Sequence, residues 1–314
     1  MIHHVFANKS NIGDWLSALG IQRLLAPLPI VEHFCDANFV DETRSALARL
    51  GPDDLVIIGG GGLFMDYFSP FWSGLHVLRK RVRYCIWGVG YCDLKVEHSH
   101  PPLEMIRELV DASVLCVVRD DLTRSHLGNT RLAEPVLCPS IVEIDAAPPG
   151  TGILHVDNYT TVGAAAFEVM DYVCREYARA GALPYRRTNN RIEPGSAREL
   201  ERTLSLYRQS GVVVSSALHG CIIAAAMGKP VVAVSGDWKI DAFMNAVGLG
   251  DWVLDAADAA QLPRLLARLP GQTPVVDALH RAGADNRAVA ASVRATADAE
   301  NDRAITALTA SGAS

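Results

Sequence analysis

The sequence predicts an α/β protein made of two doubly wound halves. Three observations lead there. Short β-branched apolar runs alternate with helical stretches along the chain. Several of these runs end in glycines or polar groups, where open α/β sheets gather ligands. The segment Asp145–Gly152, DAAPPGTG, then separates one such series from a second.

The elements follow in order. Met1–Phe6 reads as a first strand, and Asn8–Asp14 as a turn with Asn11 and Gly13 at a tight bend. Trp15–Leu25 has helical apolar spacing, with Asp14 placed to cap it. Ile30–Phe34 is a strand and Asp41–Leu50 a helix. Leu55–Ile58 is a buried strand running into Gly59–Gly62, a run that lets the backbone come close to something such as a ligand, or turn without a side-chain clash. The run is neither a Walker loop nor a dinucleotide fingerprint, because no Gly-Lys-Ser/Thr and no suitably placed acid follows. Tyr67–Arg79 is a helix. Arg83–Trp87 is a strand ending at Gly88–Gly90, Pro102–Val110 a helix, Ser113–Val118 a strand ending at Arg119-Asp120, and Asp121–Leu127 a helix. The polar strand ends are expected to line one cleft.

After the linker, Gly152–Val156, Leu183–Arg186, Val212–Val214 and Val231–Val234 read as strands. Ala164–Ala180, Ala197–Gln209, Leu218–Met227 and Lys239–Val247 read as helices. Ser215 and Ser216 are positioned to cap the third of these helices. Residues 258–268 and 276–310 are Ala-rich and helical by pattern. The implied organisation is a first domain over 1–147, a second over 148–275, and a terminal helix over 276–314 long enough to cross back onto the first.

The stretch Val212–Val234 draws particular interest. His219 falls in the first turn of its helix, where free N–H groups and the positive dipole end attract anions. An imidazole there suits phosphate contact or proton transfer; the plainer reading is a histidine filling space at a turn.

Composition sets the limits. The chain has 314 residues, 49% apolar and 20% charged, enough for two globular domains. A net charge of −6 with only short basic clusters argues against a nucleic-acid surface. Neither a signal peptide nor a spanning segment is expected. Seven scattered cysteines without a C-x-x-C pair fit reduced thiols in a cytosol and offer no zinc site.

Several pieces occur together in one order: Asn11-Ile12-Gly13-Asp14, Gly59–Gly62, Val118-Arg119-Asp120, Leu218-His219-Gly220, Gly228-Lys229-Pro230 and then Lys239. With that set, covering residues 8–254, the chain resembles the polysaccharide pyruvyltransferase family. The resemblance implies two Rossmann-like domains facing each other across a cleft, as in GT-B glycosyltransferases. The first would serve the acceptor and the second the donor. It also implies transfer of the enolpyruvyl unit of phosphoenolpyruvate to two hydroxyls of a sugar, giving a pyruvate ketal and phosphate. His219 would contact the donor or act as acid/base. Asn11, Asp14, Gly60, Gly61, Arg119, Arg187, Ser216, Leu218, Gly220 and Lys239 would bind substrate. Phosphoenolpyruvate would be a co-substrate; no cofactor or metal is required. The acceptor would be a sugar or lipid-linked oligosaccharide, the latter met by peripheral contact with a membrane surface, and the location cytoplasmic.

The chain departs from that pattern in two places. Ala217 stands where the family usually has an Arg two residues before the His, and Cys138-Pro139-Ser140 replaces a Pro-Asp-Pro turn. Losing that Arg removes a bidentate clamp on the donor: either Arg187 or Arg191 substitutes for it, or the donor differs, or the activity has drifted. Two other readings remain: a GT-B-like transferase using a nucleotide sugar, and a non-catalytic binding protein of the same fold.

Overall fold

The computed structural model describes residues 1–128 and 130–311, without the side chains of 159 and 298–311. The first sheet contains β1 (Ile2–Phe6), β2 (Ile30–Phe34), β3 (Leu55–Phe64), β4 (Arg83–Tyr91) and β5 (Leu115–Val118). All are parallel and lie in the order β2-β1-β3-β4-β5. Helices α1 (Ile12–Leu25), α2 (Val40–Leu47), α3 (Ser69–Leu78), α4 (Leu103–Ala112) and α5 (Asp121–Leu127) follow successive strands. The second sheet contains β6 (Ile153–Val156), β7 (Tyr185–Thr188), β8 (Val212–Ser215), β9 (Val231–Ser235) and β10 (Val253–Asp255). These too are parallel, in the order β10-β9-β8-β6-β7. Its helices are α6 (Tyr159–Ala180), α7 (Ala197–Gln209), α8 (Leu218–Ala226), α9 (Trp238–Ala246) and α10 (Leu262–Arg268).

Both sheets share one wiring. In each, the first strand of the half sits between the second and the third. The direction of winding therefore reverses between β1 and β3, and again between β6 and β8. Crevices open at the carboxyl ends of such strand pairs.

Helix α1 lies between the halves. Ile12, Trp15 and Leu16 join the core of the second half, while Ile21 and Leu25 pack in a cluster of the first. A helix apolar on opposite faces is buried on both. Helix α11 (Val276–Ser311) packs on the first sheet through Val289, Ala290 and Val293. There Asn286 accepts a 3.0 Å hydrogen bond from Trp87 Nε1 and donates to the Leu137 carbonyl at 2.8 Å. Among the described residues, no helix is long and apolar enough to cross a membrane.

Four sequence expectations need correction. Strands β3 and β4 do not stop before their glycines but continue through them. Gly60 and Gly61 have φ of 84° and 93°, and the ladder shifts register beyond them. Helix α1 begins at Ile12 and is capped by Asn11, whose Oδ1 accepts the Gly13 N–H at 2.9 Å, so Asp14 is not the cap. Neither Ser215 nor Ser216 caps α8. Its N-cap is Ala217, which has no side-chain acceptor, and Ser216 Oγ instead accepts the Asn158 N–H at 2.7 Å. Strand β10 was not foreseen, because three residues leave almost no periodic signal.

Candidate functional site

The two reversal points meet across α1. The start of α8, at the end of β8, faces the start of α1, at the end of β1. Gly13 makes the approach possible: a Cβ there would lie 2.1 Å from His219 Nδ1. One turn further along α1, Ser17 Oγ stands 3.3 Å from His219 Nε2. Cys138 Sγ lies 2.9 Å from the same hydroxyl and 3.7 Å from the same nitrogen. His219 therefore sits between the halves among polar partners. A space-filling histidine in an apolar turn would look different.

Helix α1 rests in turn on the glycines of β3. A Cβ on Gly60 would come within 2.8 Å of Ser17 Cβ, and one on Gly61 within 2.4 Å of Asp14 Oδ1. Only bare backbone leaves room for these two side chains, and so the glycine run places Asp14 and Ser17.

Two cations complete the group. Arg119, at the end of β5, is 3% exposed and lies against Gly90, where a Cβ would meet its Nε at 2.0 Å. Its Nε donates to Asp120 Oδ2 at 3.2 Å. Its Nη2 is buried and, among the described residues, finds no hydrogen-bond partner. Lys239, in the first turn of α9, pairs with Asp237 at 2.5 Å, and its Nζ lies 3.3 Å from Cys92 Sγ. Arg119, Asp120, Cys138, Leu218 and Lys239 share the lining of one small cavity.

The electrostatics follow from this crowding. Burial first, then the charges of Arg119 and Lys239, hold the His219 imidazole down to about 3, so it is neutral near pH 7. Burial raises the Asp14 carboxyl to about 6, against the opposing pull of Arg119, Lys239 and Arg191. The site thus holds a neutral imidazole and a carboxyl that gives up its proton only about one unit below neutrality.

The remaining expected residues divide. Asn11 works through its cap. Leu218 is buried in the second core, Gly220 makes room for Ser215 Oγ, and Ser216 joins the ends of β6 and β8. Gly220 and Ser216 support the site from behind, while Leu218 also lines the small cavity beside Arg119 and Lys239. Arg187 is taken up elsewhere: its Nε donates to Asp157 at 2.6 Å and its guanidinium lies 4.7 Å over Phe167. Arg191 is the one whose charge reaches Asp14, and its backbone bridges to Asn11. Ser17, Cys92 and Asp237 are not among the residues that the sequence marks for the site, and Cys138 is marked only as part of a departure from the family's turn. Ser17 was findable, since it lies three residues after Asp14 and shares its helix face; the cysteines and Asp237 carry no local signal.

Comparison with known proteins places this geometry. Among solved structures, the chain is similar to a putative UDP-N-acetylglucosamine 2-epimerase from Listeria monocytogenes. The identity is 13%, over 94% of this chain and 96% of that one, with a TM-score of 0.55. It is also similar to the Methanocaldococcus jannaschii UDP-GlcNAc 2-epimerase, at 10% identity over 87% and 93% of the two chains, with a TM-score of 0.53. The glycotransferase of kitacinnamycin aligns at 13% identity over 96% and 97%, with a TM-score of 0.50. At such identities the likeness speaks for the fold: two Rossmann-like domains facing each other, GT-B-like. No curated protein matches the sequence. A family model described as polysaccharide pyruvyl transferase matches residues 11–237. The match runs from the cap of α1 to Asp237 and takes in the β3 glycines, Arg119 and His219, and by it the chain belongs to the polysaccharide pyruvyl transferase family.

Proposed function

We propose that the protein transfers the pyruvyl unit of phosphoenolpyruvate to a sugar, forming a ketal across two hydroxyls. The observation that supports this most is that His219 and Asp14 both feel the charges of Arg119 and Lys239, beside an uncapped helix start. The donor carries a carboxylate and a phosphate. Arg119 Nη2, Lys239 and the uncapped N–H groups of α8 offer donors for both. Arg191 takes the clamping role that Ala217 leaves vacant.

The chemistry then needs one acid and one base. Asp14 gives its proton to C3 of the enol, and C2 gains cationic character. A sugar hydroxyl attacks C2 and its proton passes to His219. The C2–O bond to phosphate breaks, the second hydroxyl closes the ketal, and its proton restores Asp14. Of the two hydroxyl protons, one stands for that on the new methyl group and the other leaves with phosphate. An arriving anion raises the affinity of His219 for a proton, so donor binding prepares the proton exchange.

The acceptor in this reading is a sugar or lipid-linked oligosaccharide precursor, the lipid form reached at a membrane surface from the cytoplasm. Incubation with phosphoenolpyruvate and candidate glycans should release phosphate in step with ketal formation, and His219→Ala should abolish both. A thermal-shift panel tests the donor class: stabilisation by UDP or GDP, and none by phosphoenolpyruvate, would overturn the assignment in favour of a nucleotide-sugar transferase.

A further inference from the structure

The segment between β4 and α4 crosses from the first half to the second. Trp238 N–H donates to the Asp93 carbonyl at 2.9 Å, and Lys95 N–H to the Gly236 carbonyl at 3.0 Å. Lys95 Nζ then pairs with Asp241 at 3.1 Å and Asp255 at 3.0 Å. This strap abuts Asp237–Lys239, and it carries a cluster that the transfer reaction does not use.

Asp93, His98 and His100 each bring one ligand atom within 4.8 Å of the others. Asp93 Oδ1 is 3.9 Å from His98 Nε2. His98 Nδ1 faces the Val96 carbonyl at 2.9 Å, which keeps the proton on Nδ1 and a lone pair on Nε2. That Nε2 is buried and, among the described residues, has no hydrogen-bond partner. On the far side of Asp93, His126 Nε2 is 3.1 Å from Oδ2, and its ring stacks on Tyr91 at 4.0 Å. Tyr91 also braces His100, its hydroxyl 2.9 Å from Nδ1. One imidazole thus has its second nitrogen tied to a carbonyl, and the carboxylate has its second oxygen tied to another histidine. Metal ligands are commonly oriented by such outer bonds.

We propose that Asp93, His98 and His100 bind a divalent transition-metal ion, with water in the remaining position, and that the ion cross-links the strap within itself and so stiffens the segment that reaches the second half. Two imidazoles and a carboxylate favour Zn²⁺ over Mg²⁺ or Ca²⁺, which prefer oxygen. Bonds of about 2.0–2.1 Å put tetrahedral ligands roughly 3.3 Å apart. Binding would therefore draw the three groups together by roughly 0.5–1.5 Å, within the reach of side-chain torsions. No step of the proposed transfer runs through these three residues.

The test uses tag-free, metal-stripped full-length protein titrated with Zn²⁺ by calorimetry, with thermal shift as a second readout. The expected result is a single equivalent bound on the order of micromolar or tighter, with a rise in Tm that EDTA reverses. His126→Gln, which frees the outer oxygen of Asp93, should weaken binding by about 10–100-fold. His98→Ala and the exposed His100→Ala should weaken it by at least as much, with unchanged circular dichroism. The proposal falls if wild type takes up no Zn²⁺ at about 100 µM, or if both alanine variants bind as tightly as wild type.

Discussion

Ser17 Oγ of the first half lies 3.3 Å from His219 Nε2 of the second. The same hydroxyl is 2.9 Å from Cys138 Sγ. One serine thus orients the imidazole and links it to the segment joining the halves. Ser17→Ala should lower kcat by about 10-fold while costing on the order of 1 kcal/mol of stability. Steady-state kinetics and a denaturant midpoint measured on one preparation separate the two effects; an unchanged kcat would remove Ser17 from the site.

Gly13→Ala sets local against global preference. Alanine is the better helix former by about 1 kcal/mol. Its Cβ would nevertheless sit 2.1 Å from His219 Nδ1, so the ring or α1 must shift. Activity should fall by more than about 100-fold, as catalytic misplacement of this size usually costs. Helical content should persist, as circular dichroism would show.

Arg119→Lys keeps the charge and loses the fork. Its Nη2 has no hydrogen-bond partner among the described residues, and in the proposed reaction it is the group offered to the donor. Losing charged hydrogen bonds worth about 1.5–3 kcal/mol should raise KM for phosphoenolpyruvate by roughly 10–100-fold. A KM equal to that of wild type would place the donor elsewhere.

Acid stability should reflect opposed groups. His219 is held down to about 3, and His4 and His155 to about 4, each by burial first, from 6.5 in the unfolded chain. The unfolded state therefore binds more protons as pH falls below 6.5, and stability is lost on the way to pH 4. Asp14 acts in the other direction. Its carboxyl is raised from 3.8 to about 6, so its contribution is present below 3.8 and lost as pH rises through 6. Three histidines outweigh one carboxyl, and Tm should drop between pH 6.5 and 4. In Asp14→Asn the drop should steepen, because the opposing group is gone. A shallower drop in that variant would contradict the assignment.

Asn286→Ala tests the return of α11. It removes the acceptor of Trp87 Nε1 and the donor to the Leu137 carbonyl, both at a buried position. Unfolding should become easier by about 1–3 kcal/mol for the buried donor left unpaired, read from a urea midpoint.

The strands and helices were legible in the sequence because apolar runs and helical spacing are local. The exact matches, β2, α5 and α7, are bounded by strong turn or capping residues. The glycine runs were read as strand ends because glycine punctuates chains. Here they continue β3 and β4, since what they serve is the close approach of α1 and Arg119, a contact between distant parts of the chain. Asp14 was singled out as both a cap and a site residue, and the cap proved to be Asn11, three residues earlier. Local chemistry allows either; the packing of α1 on Gly61 decides. His219 was marked by its helix start alone, whereas its surroundings are set by Gly13, Ser17 and Cys138, which are 206, 202 and 81 positions away in the chain.

The halves are stitched by main-chain bonds on two flanks. On one, Ile12 N–H meets the Asn190 carbonyl at 3.0 Å and Ile192 N–H meets that of Ser10 at 2.9 Å; on the other stands the strap at Asp93 and Lys95. A wide, jaw-like parting around His219 would have to unzip one seam or the other. If both seams hold in the proposed reaction, reactants pass by small rearrangements around a fixed frame, and amide exchange at Ile12 and Ile192 should stay slow with phosphoenolpyruvate and acceptor present.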